Sequence, residues 1–375
     1  MSQLVVKPVQ SWWDRRAFLN LPWDIYRGDP NWIPPLRGNQ KELLNYKHHP
    51  FYDDAQIQTF LARRDGRLVG RIAAIANYAH NRRHKESRGF FGFFECEDNV
   101  ETAQGLFGAA KEWLKEKGMK AIRGPMNPSM NYECGLLIEG FDSPPTFMMT
   151  YNPPYYLKLI EACGLTKTQD MAAFWGHVDM LSGLDKKLEF IIIECQRRFD
   201  VHLRRLDPSR FDAEVRMFLD IYNQSLVGTW GFVPISDAER AHLAEGLRNL
   251  IVPEMTSIAE IEGRPVGAVF GLLDYNPRIK QIDGRLFPFG FIRLLWNRKA
   301  IKRVRLVSTN VIPEYQKWGV GLLIVSNFVP AIKDWGIEEA EFSWVLESNT
   351  LSYATLKRGG AKITKQYRIF DGELG

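Results

Sequence analysis

Several residue types that mark particular classes of protein are scarce in this 375-residue chain. The four cysteines are widely spaced and form no C-x-x-C pair, which argues against a disulfide framework and a zinc ribbon. No apolar run approaches the roughly 18 residues of a membrane span, and the first residues lack the basic start and long apolar run of a secretory signal. We therefore expect reduced thiols, no integral membrane association and a cytoplasmic location.

Neither the net charge nor the histidines of the sequence indicate a function. The net charge of +5 is small for this length and, without a nucleic-acid-binding motif, predicts no nucleic-acid partner. His80 and His84 are four residues apart, but their neighbourhood offers no third ligand, so we expect no metal site. A G-x-S-x-G nucleophile elbow is absent.

Positive charge is concentrated in residues 278–305. This segment has nine Lys or Arg against the single acid Asp283, with aromatic and aliphatic residues between them. Such a segment suits an acidic ligand, an acidic carrier protein or a membrane surface. The alternative is an amphipathic insertion whose apolar side packs on its own domain.

An internal repeat sets the organisation of the chain. "RDGRLVGRIAAI" (64–75) and "IEGRPVGAVFGL" (261–272) each place an acidic-Gly-Arg turn before an apolar strand, as in a β-hairpin. Asn152 and Asn349 each precede a short helical stretch closed by glycine. The two asparagines are as far apart in the sequence as corresponding glycines of the two hairpin stretches. With strands and helices alternating in each copy, we predict an α/β protein of two tandem domains, 1–183 and 184–375, each with a mixed central sheet flanked by helices.

The stretch "NVIPEYQKWGVGLLIVSNFV" (310–329) carries the clearest functional signal. An alternating strand ends before Pro313, and apolar residues at helical spacing follow Gly321. Glycines in such a turn let the main chain approach a ligand, and free N–H groups at a helix start attract anions. The turn does not fit G-x-x-x-x-G-K-[ST] or G-x-G-x-x-G, the usual nucleotide loops.

The same stretch does match V-x-P followed by [QR]-x-x-G-x-[GA], and residues 256–370 resemble the Gcn5-related N-acetyltransferase (GNAT) superfamily in the order of hairpin, loop, strand and asparagine-led helix. The whole chain resembles bacterial tandem acetyltransferase-like proteins. The resemblance implies a sheet whose fourth and fifth strands splay apart around an acyl-coenzyme A co-substrate, with direct transfer to an amine and no metal. It implies coenzyme contacts at Val311, Gln316, Lys317, Trp318, Gly319, Val320, Gly321 and Asn349.

The second copy departs from the family at its general acid. Many relatives have a tyrosine seven residues after the asparagine, where this chain has Leu356. We take Tyr353 and Ser352 as substitutes and Glu347 as a candidate base. The first function hypothesis is an N-acyltransferase that moves an acetyl or other acyl group from acetyl-coenzyme A or another acyl-coenzyme A to an amine, and a non-catalytic acyl-coenzyme A sensor or binding module is the alternative.

The first copy departs further, because its turn "ECEDNVETAQ" (95–104) is acidic and lacks glycine. Asp98 and Glu101 there suggest a capping box, so we expect this copy to have lost the coenzyme. The polar loop 124–145 and the "TYNPPYY" turn suggest an acceptor pocket with Asn127, Asn131, Glu133, Tyr155 and Tyr156. The acceptor would be a small-molecule or peptide amine, and an acidic carrier protein is a candidate partner. Acceptor identity, acyl chain length and oligomeric state stay open.

Overall fold

A computed structural model describes residues 3–182 and 186–375. The chain divides into two compact units, of which the first contains Met1–Met171, Asn276–Leu294 and Lys365–Gly375, and the second contains Ala172–Tyr275 and Leu295–Thr364. The boundary expected between residues 183 and 184 lies outside the described residues. Two segments from the C-terminal half of the sequence thus belong to the first unit.

The N-terminal half of the chain alternates strands with helices, as the α/β prediction requires. Its strands are β1 (Leu4–Pro8), β2 (Ala55–Arg64), β3 (Arg67–Asn77), β4 (Arg88–Cys96), β5 (Ala121–Gly124), β6 (Met126–Asn127), β7 (Glu133–Cys134), β8 (Leu136–Glu139) and β9 (Thr166–His177). Its helices are α1 (Trp12–Ile25), α2 (Arg37–Leu43), α3 (Tyr78–His84), α4 (Val100–Glu116) and α5 (Tyr156–Ala162). The stretch 124–145, expected to be a loop, therefore contains three short strands.

The C-terminal half repeats the pattern. Its strands are β10 (Val201–Arg204), β11 (Thr256–Ile261), β12 (Arg264–Leu273), β13 (Arg303–Val311), β14 (Glu339–Leu346) and β15 (Lys362–Glu373). Its helices are α6 (Lys186–Arg198), α7 (Phe211–Ser225), α8 (Asp237–Leu247), α9 (Asn276–Gln281), α10 (Gly290–Leu295), α11 (Val320–Trp335) and α12 (Thr350–Arg358).

The two predicted hairpins are confirmed. In the first unit β2 and β3 pair antiparallel across Asp65 and Gly66, and in the second β11 and β12 pair across Glu262 and Gly263. All four turn residues have positive φ, between 49° and 81°. A two-residue turn with both φ values positive matches the twist of the strands that it joins, which explains the acidic-Gly sequence.

Each unit has a mixed sheet with helices against it. In the first, β1, β2, β3 and β4 are antiparallel neighbours and β5 is parallel to β4. In the second, β10 to β13 are antiparallel neighbours and β14 is parallel to β13. Opposite faces of β12 carry different helices, because Gly267 faces Ile324 of α11 whereas Phe270 stacks on Phe218 of α7 at 3.9 Å.

The last strand completes the sheet of the first unit. Phe370 to Glu373 of β15 pair antiparallel with β5, and Gln366 to Arg368 pair with β8. The carboxylate of Asp371 accepts hydrogen bonds from Arg123 Nε and Nη2 at 2.7 and 2.8 Å and lies 3.1 Å from Arg88 Nη1. Arg123 is buried, so its positive charge is removed from water and the carboxylate of Asp371 stabilises it.

Replacing Asp371 by asparagine is expected to lower the free energy of unfolding by about 2 to 4 kcal/mol, because it removes the negative charge that pairs with the buried guanidinium of Arg123. Glu373→Gln, at an exposed position of the same strand, is expected to change it by less than about 0.5 kcal/mol. Urea unfolding measures both values. Equal effects would show that β15 does not depend on this ion pair.

Candidate functional site

The central feature of the second unit is the separation of two parallel strands. The register between β13 and β14 runs from Arg303 and Glu339 to Leu306 and Phe342. Beyond that point β13 continues to Val311 and β14 to Leu346 without further pairing between these described strands. A register shift opposite Phe270 and Gly271 leaves Val307 as an extra residue in β13, where a bulge redirects the strand. A gap therefore opens between the C-terminal ends of the two strands.

The main chain of Val311 faces this gap. Ile312 donates its N–H to Val266 O at 2.9 Å. Along an antiparallel ladder, residues that bond to the neighbouring strand alternate with residues whose main-chain groups point away from it. The N–H of Val311 consequently points away from β12, toward the side from which β14 has departed. Its carbonyl points the same way and accepts from Gln316 Nε2 at 2.9 Å.

The turn after β13 ends in a helix start whose amides have no hydrogen-bond partner among the residues that the structure describes. Gly319 is the N-cap of α11 with φ of 88° and has no capping side chain. The first amides of a helix have no partner inside it, and no hydrogen bond from the main-chain N–H groups of 317–322 to other described residues is present. These groups, at the positive end of the helix dipole, form a site suited to an anion.

The side chain of Gln316 braces this turn. Its Nε2 donates to Ser225 O at 3.0 Å as well as to Val311 O. It thereby ties the end of α7 to the end of β13. The sequence pattern had placed Gln316 among the coenzyme contacts, whereas its amide group is used within the protein.

The two glycines of the turn meet different surroundings. A Cβ on Gly319 would lie 2.6 Å from Ile191 Cγ2 of α6, so Gly319 is required by packing as well as by its positive φ. A Cβ on Gly321 would lie 3.6 Å from Val311 Cγ2 and 3.7 Å from Thr309 Cγ2, which is ordinary contact. No atom of the described residues would prevent a side chain from starting at position 321.

Positive charge lies beside the turn. Lys317 is exposed, with φ of 68°, and the guanidinium of Arg198 lies 3.6 Å from the ring centroid of Trp318. The Trp318 side chain also meets Phe199 edge-on, at 6.2 Å between ring centroids. Two cations at a set of free amides favour an anionic ligand over a neutral one.

A polar cluster on the opposite face of β13 was missed by the sequence reasoning. Since Thr309 and Val311 face α11, Ser308 and Asn310 face α7. Asn310 is 1% exposed, and its Oδ1 accepts from Ser225 Oγ at 2.9 Å and Ser308 Oγ at 2.8 Å. Its Nδ2 has no hydrogen-bond partner in the described part of the chain. The sequence signal that could have revealed this cluster is the presence of two polar residues, Ser308 and Asn310, on one face of an otherwise apolar strand.

The predicted catalytic residues lie at the start of α12. Asn349 caps this helix by accepting the N–H of Ser352 at 3.2 Å, so its side chain is occupied locally. Tyr353 is half-buried and meets Phe174 edge-on, with ring centroids 5.0 Å apart. Glu347 is exposed, and Leu356 is half-buried. Their roles in catalysis stay predictions.

In the first unit the equivalent gap is filled by the protein itself. β4 and β5 pair only from Arg88 to Phe90, and beyond that point the N–H of Phe93 donates to Asn127 Oδ1 at 2.7 Å. The N–H of Cys96 donates to the hydroxyl of Tyr156 at 2.8 Å, and a Cβ on Gly92 would lie 1.9 Å from Met126 O. No main-chain site like that of Val311 is left between these described strands.

Three of the residues predicted to line an acceptor pocket, Asn127, Tyr155 and Tyr156, make hydrogen bonds within the protein, and the pocket stays a prediction. Tyr156 is buried and donates to Glu95 Oε2 at 2.8 Å, and burial raises the pKa of both groups. Tyr155 donates to Cys96 O at 2.8 Å. Asn131 and Glu133 are partly exposed, and Glu133 lies in β7.

The acidic turn of the first unit is closed by its own side chains, although not as predicted. The N-cap of α4 is Asn99, which accepts the N–H of Thr102 at 3.1 Å, so the capping box assigned to Asp98 and Glu101 is wrong. Glu101 instead pairs with Arg64 at 2.9 Å. Asn99 caps the helix in place of Asp98 because it directly precedes Val100, the first helical residue.

Two further expectations concern metals and membranes. The ring of His80 lies 4.4 Å from that of His84, and burial lowers the pKa of His80 to about 4. Among residues 3–182 and 186–375 no group of three candidate metal ligands comes together. No helix in the same ranges combines the length and apolarity needed to cross a bilayer.

Comparison with solved structures identifies the fold. A tandem GNAT protein from the clavulanic acid biosynthesis pathway matches with a TM-score of 0.57, at 10% identity, over 100% of this chain and 99% of that chain. A GCN5-related N-acetyltransferase from Sphaerobacter thermophilus matches with a TM-score of 0.53, at 12% identity, over 99% and 96%. The protein has the tandem GNAT fold, as predicted.

Sequence comparison then gives the family. No family model matches the chain. "Protein YghO" of Escherichia coli strain K12 is 36% identical over 96% of this chain and 93% of its own length. "Bacterial ceramide synthase" of Caulobacter vibrioides is 34% identical over 100% and 98%. The chain belongs to the family of these two proteins.

Gly319→Ala is expected to lower the free energy of unfolding by about 2 to 4 kcal/mol, because the new Cβ meets Ile191 and the left-handed backbone is strained. Gly263→Ala is the matched control, since it also has positive φ (76°) but nothing within 4 Å of a Cβ. We expect a loss of only about 1 kcal/mol there. Equal losses in urea unfolding would contradict the packing of α6 against the turn.

Proposed function

We propose that the protein transfers a fatty acyl group from acyl-coenzyme A to the amine of a long-chain amino alcohol. The observation that carries the proposal is the gap between β13 and β14 beside the unbonded amides of 317–322, in a chain that resembles a bacterial ceramide synthase along its whole length. A ceramide is the amide of a fatty acid and a long-chain amino alcohol, so its synthesis is an N-acyl transfer.

The donor would bind along the gap with its pyrophosphate on the free amides. Backbone N–H groups at a helix start suit phosphate oxygens, and Lys317 and Arg198 add positive charge beside them. The absent Cβ of Gly321 leaves room beside Val311 and Thr309 for the coenzyme to pass from these amides into the gap.

The acyl group would then lie at Val311. Its N–H, directed into the gap, would donate to the thioester oxygen as negative charge develops there. The amine nitrogen forms a bond to the thioester carbon, the C–S bond breaks, and the sulfur leaves with the electron pair as thiolate. Holding donor and amine together supplies much of the rate enhancement, so no covalent acyl-enzyme is needed.

Two protons must move in this reaction. One leaves the amine, and we assign its removal to Glu347 acting through water, since this carboxylate is exposed where β14 ends. The other reaches the departing thiolate, and Tyr353 or Ser352 on the adjacent helix start would supply it. These assignments are proposals that rest on position in the fold.

The acceptor would lie on the α7 side of β13. The Nδ2 of Asn310 is buried on that side without an acceptor among the described residues, and Ser225 and Ser308 hold the amide group in place through its Oδ1. A hydroxyl on the acceptor could take the hydrogen bond of this Nδ2, since an unpaired buried donor is costly and a ligand oxygen would relieve that cost. An amino alcohol offers such an oxygen next to its amine.

A second candidate function is non-catalytic binding of acyl-coenzyme A. It is favoured by Leu356, which occupies the position where many GNAT relatives have a tyrosine acid. Release of free thiol that depends on an added long-chain amino alcohol distinguishes the two functions. Binding of acyl-coenzyme A without such release would favour the binding module.

Gly321→Val is expected to weaken acyl-coenzyme A binding at least about tenfold in calorimetric titration, equivalent to about 1.4 kcal/mol. The added methyl groups would stand where the coenzyme passes, while the nearest protein atoms leave room for the Cβ itself. Gly246→Val, in α8 with nothing within 4 Å of a Cβ, is the matched control and is expected to keep full affinity. Unchanged affinity in Gly321→Val would place the coenzyme elsewhere.

Asn310→Leu is expected to raise the KM for a long-chain amino alcohol about tenfold, because the hydroxyl of the acceptor loses its donor. The dissociation constant for acyl-coenzyme A is expected to stay unchanged, since Asn310 faces away from α11. The same variant assayed with a simple alkyl amine serves as control and is expected to lose little. Equal losses with both amines would contradict a role in recognising the hydroxyl.

A further inference from the structure

One short segment of the first unit exposes aromatic side chains to an unusual degree. It runs from residue 285 to residue 293, and we call it the aromatic tip. Phe287 and Phe289 are 83% and 73% exposed, and Phe291 and Ile292 are nearly half exposed. Isolated apolar side chains on a surface are normal, but four within six residues form a patch that calls for a partner.

The base of the aromatic tip is fixed to the first unit. Asp283 accepts from Trp23 Nε1 at 2.5 Å and from Arg37 Nη2 at 3.2 Å, and Arg37 N–H donates to Gly284 O at 3.0 Å. Gly284 is buried with φ of 67°, and a Cβ on it would lie 2.1 Å from Pro35 O. Leu294 closes the segment as a buried residue. A segment held this firmly presents its rings without collapsing onto the protein.

The charge around the rings is mainly positive. Residues 278–294 contain four cationic side chains, Arg278, Lys280, Arg285 and Arg293, against Asp283 alone. Asp283 is engaged with Trp23 and Arg37, and its Oδ2 also lies 3.5 Å from Arg285 Nε. Arg285 and Arg293, at the two ends of the aromatic tip, are exposed. The surface offered is therefore a protruding group of aromatic rings between arginines.

We propose that the aromatic tip docks the protein onto an anionic lipid bilayer. Phenylalanine and aliphatic side chains flanked by cations insert at the boundary between headgroups and acyl chains, and each cation near an anionic surface contributes about 1 kcal/mol. A bilayer accepts a protruding tip, whereas a folded carrier protein would need a matching cavity for rings that are exposed on most of their surface. The proposal goes beyond the acyl transfer described above and does not require it.

Vesicle flotation of the full-length protein tests the proposal. We expect binding to phosphatidylcholine vesicles that contain about 30% phosphatidylglycerol and at least tenfold weaker binding to pure phosphatidylcholine. Phe287→Ser combined with Phe289→Ser is expected to weaken binding to the anionic vesicles at least tenfold. Arg285→Gln combined with Arg293→Gln is expected to weaken it and to reduce its dependence on salt.

The matched control replaces an exposed aromatic pair elsewhere on the first unit. Trp12 and Trp13 are 58% and 63% exposed, and Trp12→Ser with Trp13→Ser is expected to leave vesicle binding unchanged. All variants should unfold at the wild-type urea concentration and titrate acyl-coenzyme A normally, so that vesicle binding and coenzyme binding are measured separately. Wild-type protein that does not float, phenylalanine variants that still float, or a tip that binds an acidic carrier protein and no vesicle would each overturn the proposal.

Discussion

The proposed site depends on one constraint, which is that two parallel strands stop pairing while both continue. After Leu306 and Phe342 the edges of β13 and β14 separate, and each strand loses the neighbour that would satisfy its main-chain groups. An unpaired buried amide is costly, so such an edge persists where a ligand or the protein itself supplies partners. Val311 and the start of α11 lie along this edge, which joins an anion site to a hydrogen-bond donor within one continuous stretch of chain.

The first unit shows how the same constraint is met without a ligand. There the N–H groups of Phe93 and Cys96 are satisfied by Asn127 and Tyr156, and the acidic turn is capped by Asn99. The two units thus share a strand geometry but differ in what fills the gap. This difference explains why one copy retains glycines at its helix start whereas the other has carboxylates and a capping side chain in that place.

Much of the fold was predictable because local patterns determine it. Alternation, acidic-Gly turns and helical spacing predicted the hairpins and the strand, turn and helix around Gly319. Contacts between distant segments were not predictable in this way: the Gln316 side chain bonds Ser225, which lies 91 residues away, and Gly319 packs on Ile191. Nor does periodicity name the partner of a strand, so the pairing of β15 with β5 was not foreseen. Asn310 was missed because its importance depends on burial, which one strand pattern does not show.

Hydrogen–deuterium exchange with and without acyl-coenzyme A tests the central claim most directly, because it reports on the main-chain amides themselves. We expect saturating acyl-coenzyme A to slow exchange in residues 311–322 and to leave exchange in residues 93–104 unchanged. If the coenzyme binds but the amides of 317–322 exchange as fast as before, they do not hold its pyrophosphate and the proposed site is wrong.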